Sequence, residues 1–65
     1  SLEEVKEILK ELKKELSPED RRLIEEALRL LEEGNPAMAS MVLSDLVFLL
    51  GDPRVIELLM LVTKT

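Results

Sequence analysis

The sequence predicts an all-α fold, a compact up-down bundle of four short helices joined by tight loops of two or three residues. Two observations predict it. Leu2, Val5, Leu9, Leu12 and Leu16 recur at 3, 4, 3, 4 spacing, the signature of one helix face. Ser17, Gly34 and Gly51 then fall 17 residues apart, each followed within two residues by a proline, and divide the chain into segments of nearly equal length. Connections this short make each helix roughly antiparallel to the one before it. A chain of 65 residues forms a single domain, residues 1–65, and buries only about 60% of its unfolded surface.

The first helix is expected over residues 2–16, about 22 Å long, with Ile8 widening its apolar stripe. The stretch SPED starts the second, expected over 18–33. Ser17 suits the cap, Pro18 the first helical position, and Glu19 with Asp20 the positive end of the helix dipole. Its core face holds Leu23, Ile24, Ala27, Leu28, Leu30 and Leu31, and its other side is charged. Gly34 is placed to take the left-handed conformation past a helix end, Asn35 to cap and Pro36 to open the third helix, 36–50. Gly51, Asp52 and Pro53 repeat that grammar before the fourth, 53–64. The period reflects units of equal length and not a recurring motif.

The stretches LEEVKEILKELKKEL and SPEDRRLIEEALRLLEEGNP carry idealised helix and loop chemistry. Both glycines lie just past a helix end, all three prolines open a helix, and Gln, His, Cys, Trp and Tyr are absent throughout. In these features the whole chain resembles a de novo designed helical mini-protein. The resemblance is one of style, with no motif behind it. It implies high stability and, at this length, commonly a purpose of binding a chosen protein target, the designed mini-binder class. A soluble synthetic protein without a targeting signal, produced in a cytoplasm, is the corresponding expectation.

The second half departs from this order. Residues 1–33 hold 18 of the 23 charged side chains, and residues 34–65 only Asp45, Asp52, Arg54, Glu57 and Lys64. A sequence chosen only for solubility charges the outer faces of all its helices. In the third helix Val42, Leu43, Leu46, Leu49, Leu50 and Ala39 occupy one half of the cylinder and are assigned to the core. Opposite them Ala37, Met41, Ser44 and Phe48 form a second stripe, flanked by Met38 and Asp45 on one side and Ser40 on the other. In the fourth helix Val55, Leu58, Leu59 and Val62 face inward, Leu61 falls outside that arc beside Arg54, Glu57 and Lys64, and Ile56 and Met60 fit either side.

Two readings of this second stripe follow. A helix apolar all round is often the central one of a bundle, and small residues such as Ala37, Ser40 and Ser44 suit close approach of a neighbour. Alternatively the stripe meets a partner outside the chain. Met38, Met41, Phe48, Met60 and Leu61 left in water expose roughly 400–600 Å², at the limit of what a monomer tolerates. The second reading is preferred, because four short helices give the third at most three neighbours. The candidate binding residues are Ala37, Met38, Met41, Ser44, Asp45, Phe48, Glu57, Met60, Leu61 and Lys64. Asp45 either pairs with a partner's Lys, Arg or exposed N–H, or keeps an apolar helix soluble. The expected partner is one protein target, its identity not legible. The alternatives are a structural bundle with no partner, or a symmetric homodimer burying the same face.

Other functions are not expected. A net charge of −5 opposes nucleic acid and anionic membranes, and Phe48 alone offers no stacking platform. No apolar run approaches the roughly 20 residues of a membrane-inserted helix. Without His or a nearby Lys, Ser40 and Ser44 have no base to activate them, so no enzymatic activity is expected. Glu3, Glu7, Glu11 and Glu15 face outward among Lys6, Lys10 and Lys14, a solvated ladder and not a metal site. No cofactor is implied.

Overall fold

The computed structural model describes residues 2–64. Four helices succeed one another: α1 (Leu2–Lys13), α2 (Pro18–Glu32), α3 (Pro36–Leu50) and α4 (Pro53–Thr63). They form a closed ring in which α1 and α3 each pack against α2 and α4, while the backbones of the diagonal pairs stay apart. The bundle measures 26 × 19 × 18 Å. Its core is wholly apolar. Val5, Leu9 and Leu12 enter from α1, Ile24, Ala27, Leu30 and Leu31 from α2, Ala39, Leu43 and Leu46 from α3, and Val55, Leu58 and Val62 from α4.

The helix starts follow the cap chemistry. Ser17 Oγ accepts the Asp20 N–H at 3.3 Å, Asn35 Oδ1 accepts that of Met38 at 3.2 Å, and Asp52 Oδ1 accepts that of Arg54 at 2.9 Å. Each side chain satisfies one N–H that the first helical turn leaves without a partner. After α2 the Asn35 N–H reaches back to Leu30 O and the Gly34 N–H to Leu31 O, at 2.8 and 3.1 Å, the paired bonds of a Schellman end. After α3 a single bond runs from the Gly51 N–H to Val47 O. Both ends require the left-handed conformation, and Gly34 and Gly51 supply it at φ of 78° and 61°.

The first helix is shorter than its composition suggests. It ends at Lys13 and not at Leu16, and the connection to α2 takes the four residues 14–17 where two or three were expected. The Lys14 and Glu15 N–H groups bond to carbonyls three residues back, Glu11 and Leu12, which tightens the last turn and stops it. Pro18 then bars helical geometry at Ser17, which is extended at φ −64°, ψ 160°. Leu16 stays against the core, and its carbonyl accepts Arg21 Nη2 at 3.2 Å. The ends of α2 and α4 fall one residue inside the expected limits.

One charge cluster ties the ring where α1 meets α4. The Arg54 guanidinium grips Glu15 with two bonds of 3.0 Å and also holds Asp52 Oδ2 at 2.8 Å. Hydrogen bonds from Arg54, with its positive charge, hold the Glu15 carboxyl below its usual range. Those bonds, with the Arg54 backbone N–H, do the same for Asp52. The two carboxylates in turn push Arg54 further above its already high value.

A carboxyl that ionises more readily in the folded chain stabilises it at pH above the unfolded values, ordinarily 4.5 for Glu15 and 3.8 for Asp52. That contribution disappears as pH falls through the lower folded values. The melting temperature is therefore expected to drop as pH falls below about 5, and Arg54→Gln to flatten that slope. An unchanged slope in Arg54→Gln would show that the clasp contributes nothing. Gly34→Ala is expected to cost about 1 kcal/mol in chemical denaturation. No atom beyond the adjoining residues lies within 4 Å of the added Cβ, so the loss comes from the backbone conformation.

Candidate protein-binding surface

α3 is the helix without charge at either end, and Asp45 is its only charged residue. Its two neighbours cover a limited arc. Ala39, Leu43 and Leu46 are fully buried, Val42, Val47 and Leu50 lie against the core's edge, Pro36, Ser40 and Ser44 are half-buried, and the others face water. At 100° per residue the exposed residues Ala37, Phe48, Met41, Asp45, Met38 and Leu49 follow one another around an uninterrupted arc of about 120°. Phe48 is 91% exposed, close to the limit for a side chain on a helix.

Leu49 corrects the sequence reading. Assigned to the core, it is 62% exposed and extends the outer stripe beyond Met38. A helix at the corner of a four-helix ring fully buries only a narrow arc, here that of Leu46, Ala39 and Leu43, and Leu49 sits just past the edge that its neighbours cover.

On α4 the two edges of the inward arc differ. Arg54 marks the edge facing α1 through its bonds to Glu15, and Leu61, two turns further along that edge, packs partly buried against the core. Leu61 is therefore not part of the exposed face, although the sequence placed it outside the inward arc. Glu57 is exposed on this same flank, and Lys64, also exposed, lies between it and Met60 around the helix. Thr63 marks the other edge. With Val62 it lines a shallow hollow shared with Pro36, Ala37 and Ser40, where the start of α3 lies beside the end of α4. Ile56, two turns before Thr63, belongs to this edge and is 46% exposed, with Met60 beside it. Ile56, ambiguous in sequence, takes the place that Leu61 held.

The seam between α3 and α4 is built from small side chains whose hydroxyls are already used. Ser40 donates to Ala37 O at 2.8 Å, Ser44 to Ser40 O at 2.9 Å and Thr63 to Met60 O at 2.8 Å. Each bond turns the hydroxyl back on its own helix, so an apolar occupant of the seam strands no donor. Ser44 is half-buried there, less open than the stripe reading requires. Met38, Met41, Phe48, Leu49, Ile56 and Met60 together leave on the order of 700 Å² in water, above the roughly 300–600 Å² of a typical monomer's largest patch.

The opposite side of the molecule has a different character. A hollow between α1 and α2 is lined by Lys13, Glu25, Leu28, Arg29, Glu32 and Glu33. Lys13 pairs with Glu25 at 3.1 Å, and Arg29 bridges Glu26 and Glu33. Those bonds, led by Glu26, hold the Arg29 guanidinium protonated beyond its usual range. Three carboxylates of the Glu ladder have cation partners: Glu3 lies 3.8 Å from Lys6, Glu11 3.3 Å from Lys14, and Glu15, just past the end of α1, is held by Arg54. No described helix is long and apolar enough to cross a membrane.

Comparison of the chain with protein-family models, curated proteins and solved structures finds no match. Exposed i, i+3 pairs such as Glu11–Lys14 contribute little to stability. Reversing that pair, by Glu11→Lys with Lys14→Glu, is expected to shift denaturation by a few tenths of a kcal/mol and to leave partner binding unaltered. A loss of binding would move the functional surface to α1 and α2.

Proposed function

We propose that the chain is a de novo designed protein-binding module that docks the joint face of α3 and α4 on a target protein. The observation that carries this reading is the position of Phe48, the chain's sole aromatic, almost fully in water amid exposed Met41, Leu49 and Met60. Covering about 700 Å² yields on the order of 15–20 kcal/mol gross at about 25 cal/mol per Å². Association costs of roughly 4–15 kcal/mol leave a useful remainder once rim contacts are added. Three of the exposed side chains are Met, which adapts to an irregular partner. The design origin is supported by the consistency of the local chemistry: three hydrogen-bonded caps each followed by proline, both glycines left-handed, and a core of apolar residues alone among the described residues.

The test compares Phe48→Glu with Leu46→Glu. Phe48→Glu is expected to melt within a few degrees of the parent, since its side chain fills no interior space. Leu46→Glu buries an unpaired carboxylate and is expected to lose more than about 4 kcal/mol or unfold. Collapse of both variants alike would mean that the face serves the chain's own fold. Mass in solution at micromolar concentration separates a foreign partner from self-association: the docking reading expects a monomer, and a dimer that Phe48→Glu dissociates would replace the target with a second copy.

A further inference from the structure

Asp45 narrows the chemistry of the partner. It lies near the middle of the exposed arc of α3, with Met38, Met41 and Leu49 within about 40° of it around the helix. Among the described residues no hydrogen bond or ion pair engages its carboxylate. An occupant that covers the apolar side chains on either side of it also takes this carboxylate out of water, and a desolvated charge needs a counter-charge.

A second copy of the chain has little to give at this place. Seven of the nine Lys and Arg precede residue 34. Arg54 lies on the edge of α4 that faces α1 and is held by Glu15 and Asp52, while Lys64 borders Met60 at the far end of α4. Face-to-face pairing that does not bring this one lysine to Asp45 sets the carboxylate against apolar side chains or against its own copy, which strands or repels it. A lipid surface fits no better, because both Asp45 and the net charge of −5 oppose the anionic headgroups that usually draw proteins to membranes.

The shape of the face is that of an open corner between two antiparallel helices. Phe48 and Met41 rise on one side, Ile56 and Met60 on the other, and the seam of small residues lies between them. Such a corner accepts a third helix, the helix-in-groove mode of recognition. The roughly 700 Å² available approaches the roughly 800 Å² that one partner contributes to an interface of ordinary size. Resting on the reading that this face is a docking surface, we infer that its occupant is an amphipathic helix of another protein with a Lys or Arg beside its apolar stripe, and that this cation meets Asp45.

Two synthetic amphipathic helical peptides with the same Leu stripe, one flanked by Lys and the other by Glu, test the assignment by calorimetric titration of the full chain. The Lys peptide is expected to bind and the Glu peptide not. Asp45→Asn is expected to weaken the Lys peptide by about tenfold or more. Glu7→Gln removes the same charge from the exposed face of α1 and is expected to change binding less than about twofold. Equal weakening by the two variants would reduce the attraction to net charge and overturn the inference, as would equal binding of both peptides. Absence of binding by either peptide to a monomeric chain would overturn the basic-helix assignment while leaving the broader docking reading to the Phe48→Glu and Leu46→Glu comparison. Phe48-dependent adsorption to phosphatidylcholine vesicles without peptide binding would assign the face to lipid instead.

Discussion

Each helix in this chain buries only the arc that its two ring neighbours cover, and the distribution of side chains answers to that limit. No helix occupies the centre. The interior is a column of Leu, Ile, Val and Ala drawn from all four, with no polar side chain among the described residues that line it. A helix with one narrow inward stripe and a charged remainder satisfies this geometry, as α1 and α2 do. α3 does not, since its composition suits a helix surrounded on all sides while its position supplies two neighbours. The exposed Phe48 and Met41 are the excess of apolar surface over what the ring can cover.

The same limit gives the loops their importance. With so little buried area per helix, the connections must set helix direction without slack. The capping side chains and two left-handed glycines do this in two or three residues after α2 and α3. Where glycine is missing, after α1, the chain needs four residues and relies on a tightened turn, on the bond between Arg21 and Leu16 O, and on the Arg54 clasp. The charged half of the molecule is therefore not merely a solvated surface, since one of its carboxylates, Glu15, helps to close the ring.

Much of this was legible in the residues. Ser17, Gly34, Asn35, Gly51 and Asp52 carry conformational demands that hold in any context, so they marked the breaks. The end of α1 was less legible because Lys14 and Glu15 are good helix formers, and only the restriction imposed by Pro18 argues against them. Leu49 was misplaced because periodicity gives the order of residues around a helix but not the width of the covered arc. Leu61 and Ile56 lie on opposite edges of the α4 stripe, and which edge meets α1 depends on the handedness of the bundle, a property of the assembled ring. The exposed stripe through Met41, Asp45 and Phe48 was legible as a stripe; its facing water depended on the neighbour count.

The ring also has a temporal side. Contacts between α1 and α2, α2 and α3, and α3 and α4 join segments adjacent in the chain, so each forms by closing a short loop. Only the meeting of α1 with α4 is distant, Glu15 and Arg54 being 39 residues apart. Local helical hairpins can thus assemble before the ring shuts, and the meeting of α1 with α4 is the one that closes the longest loop. Since α4 carries Ile56 and Met60, transient parting at that seam would loosen one wall of the exposed corner while the α2–α3 hairpin stays whole, and it would give the binding face some freedom to adjust its width.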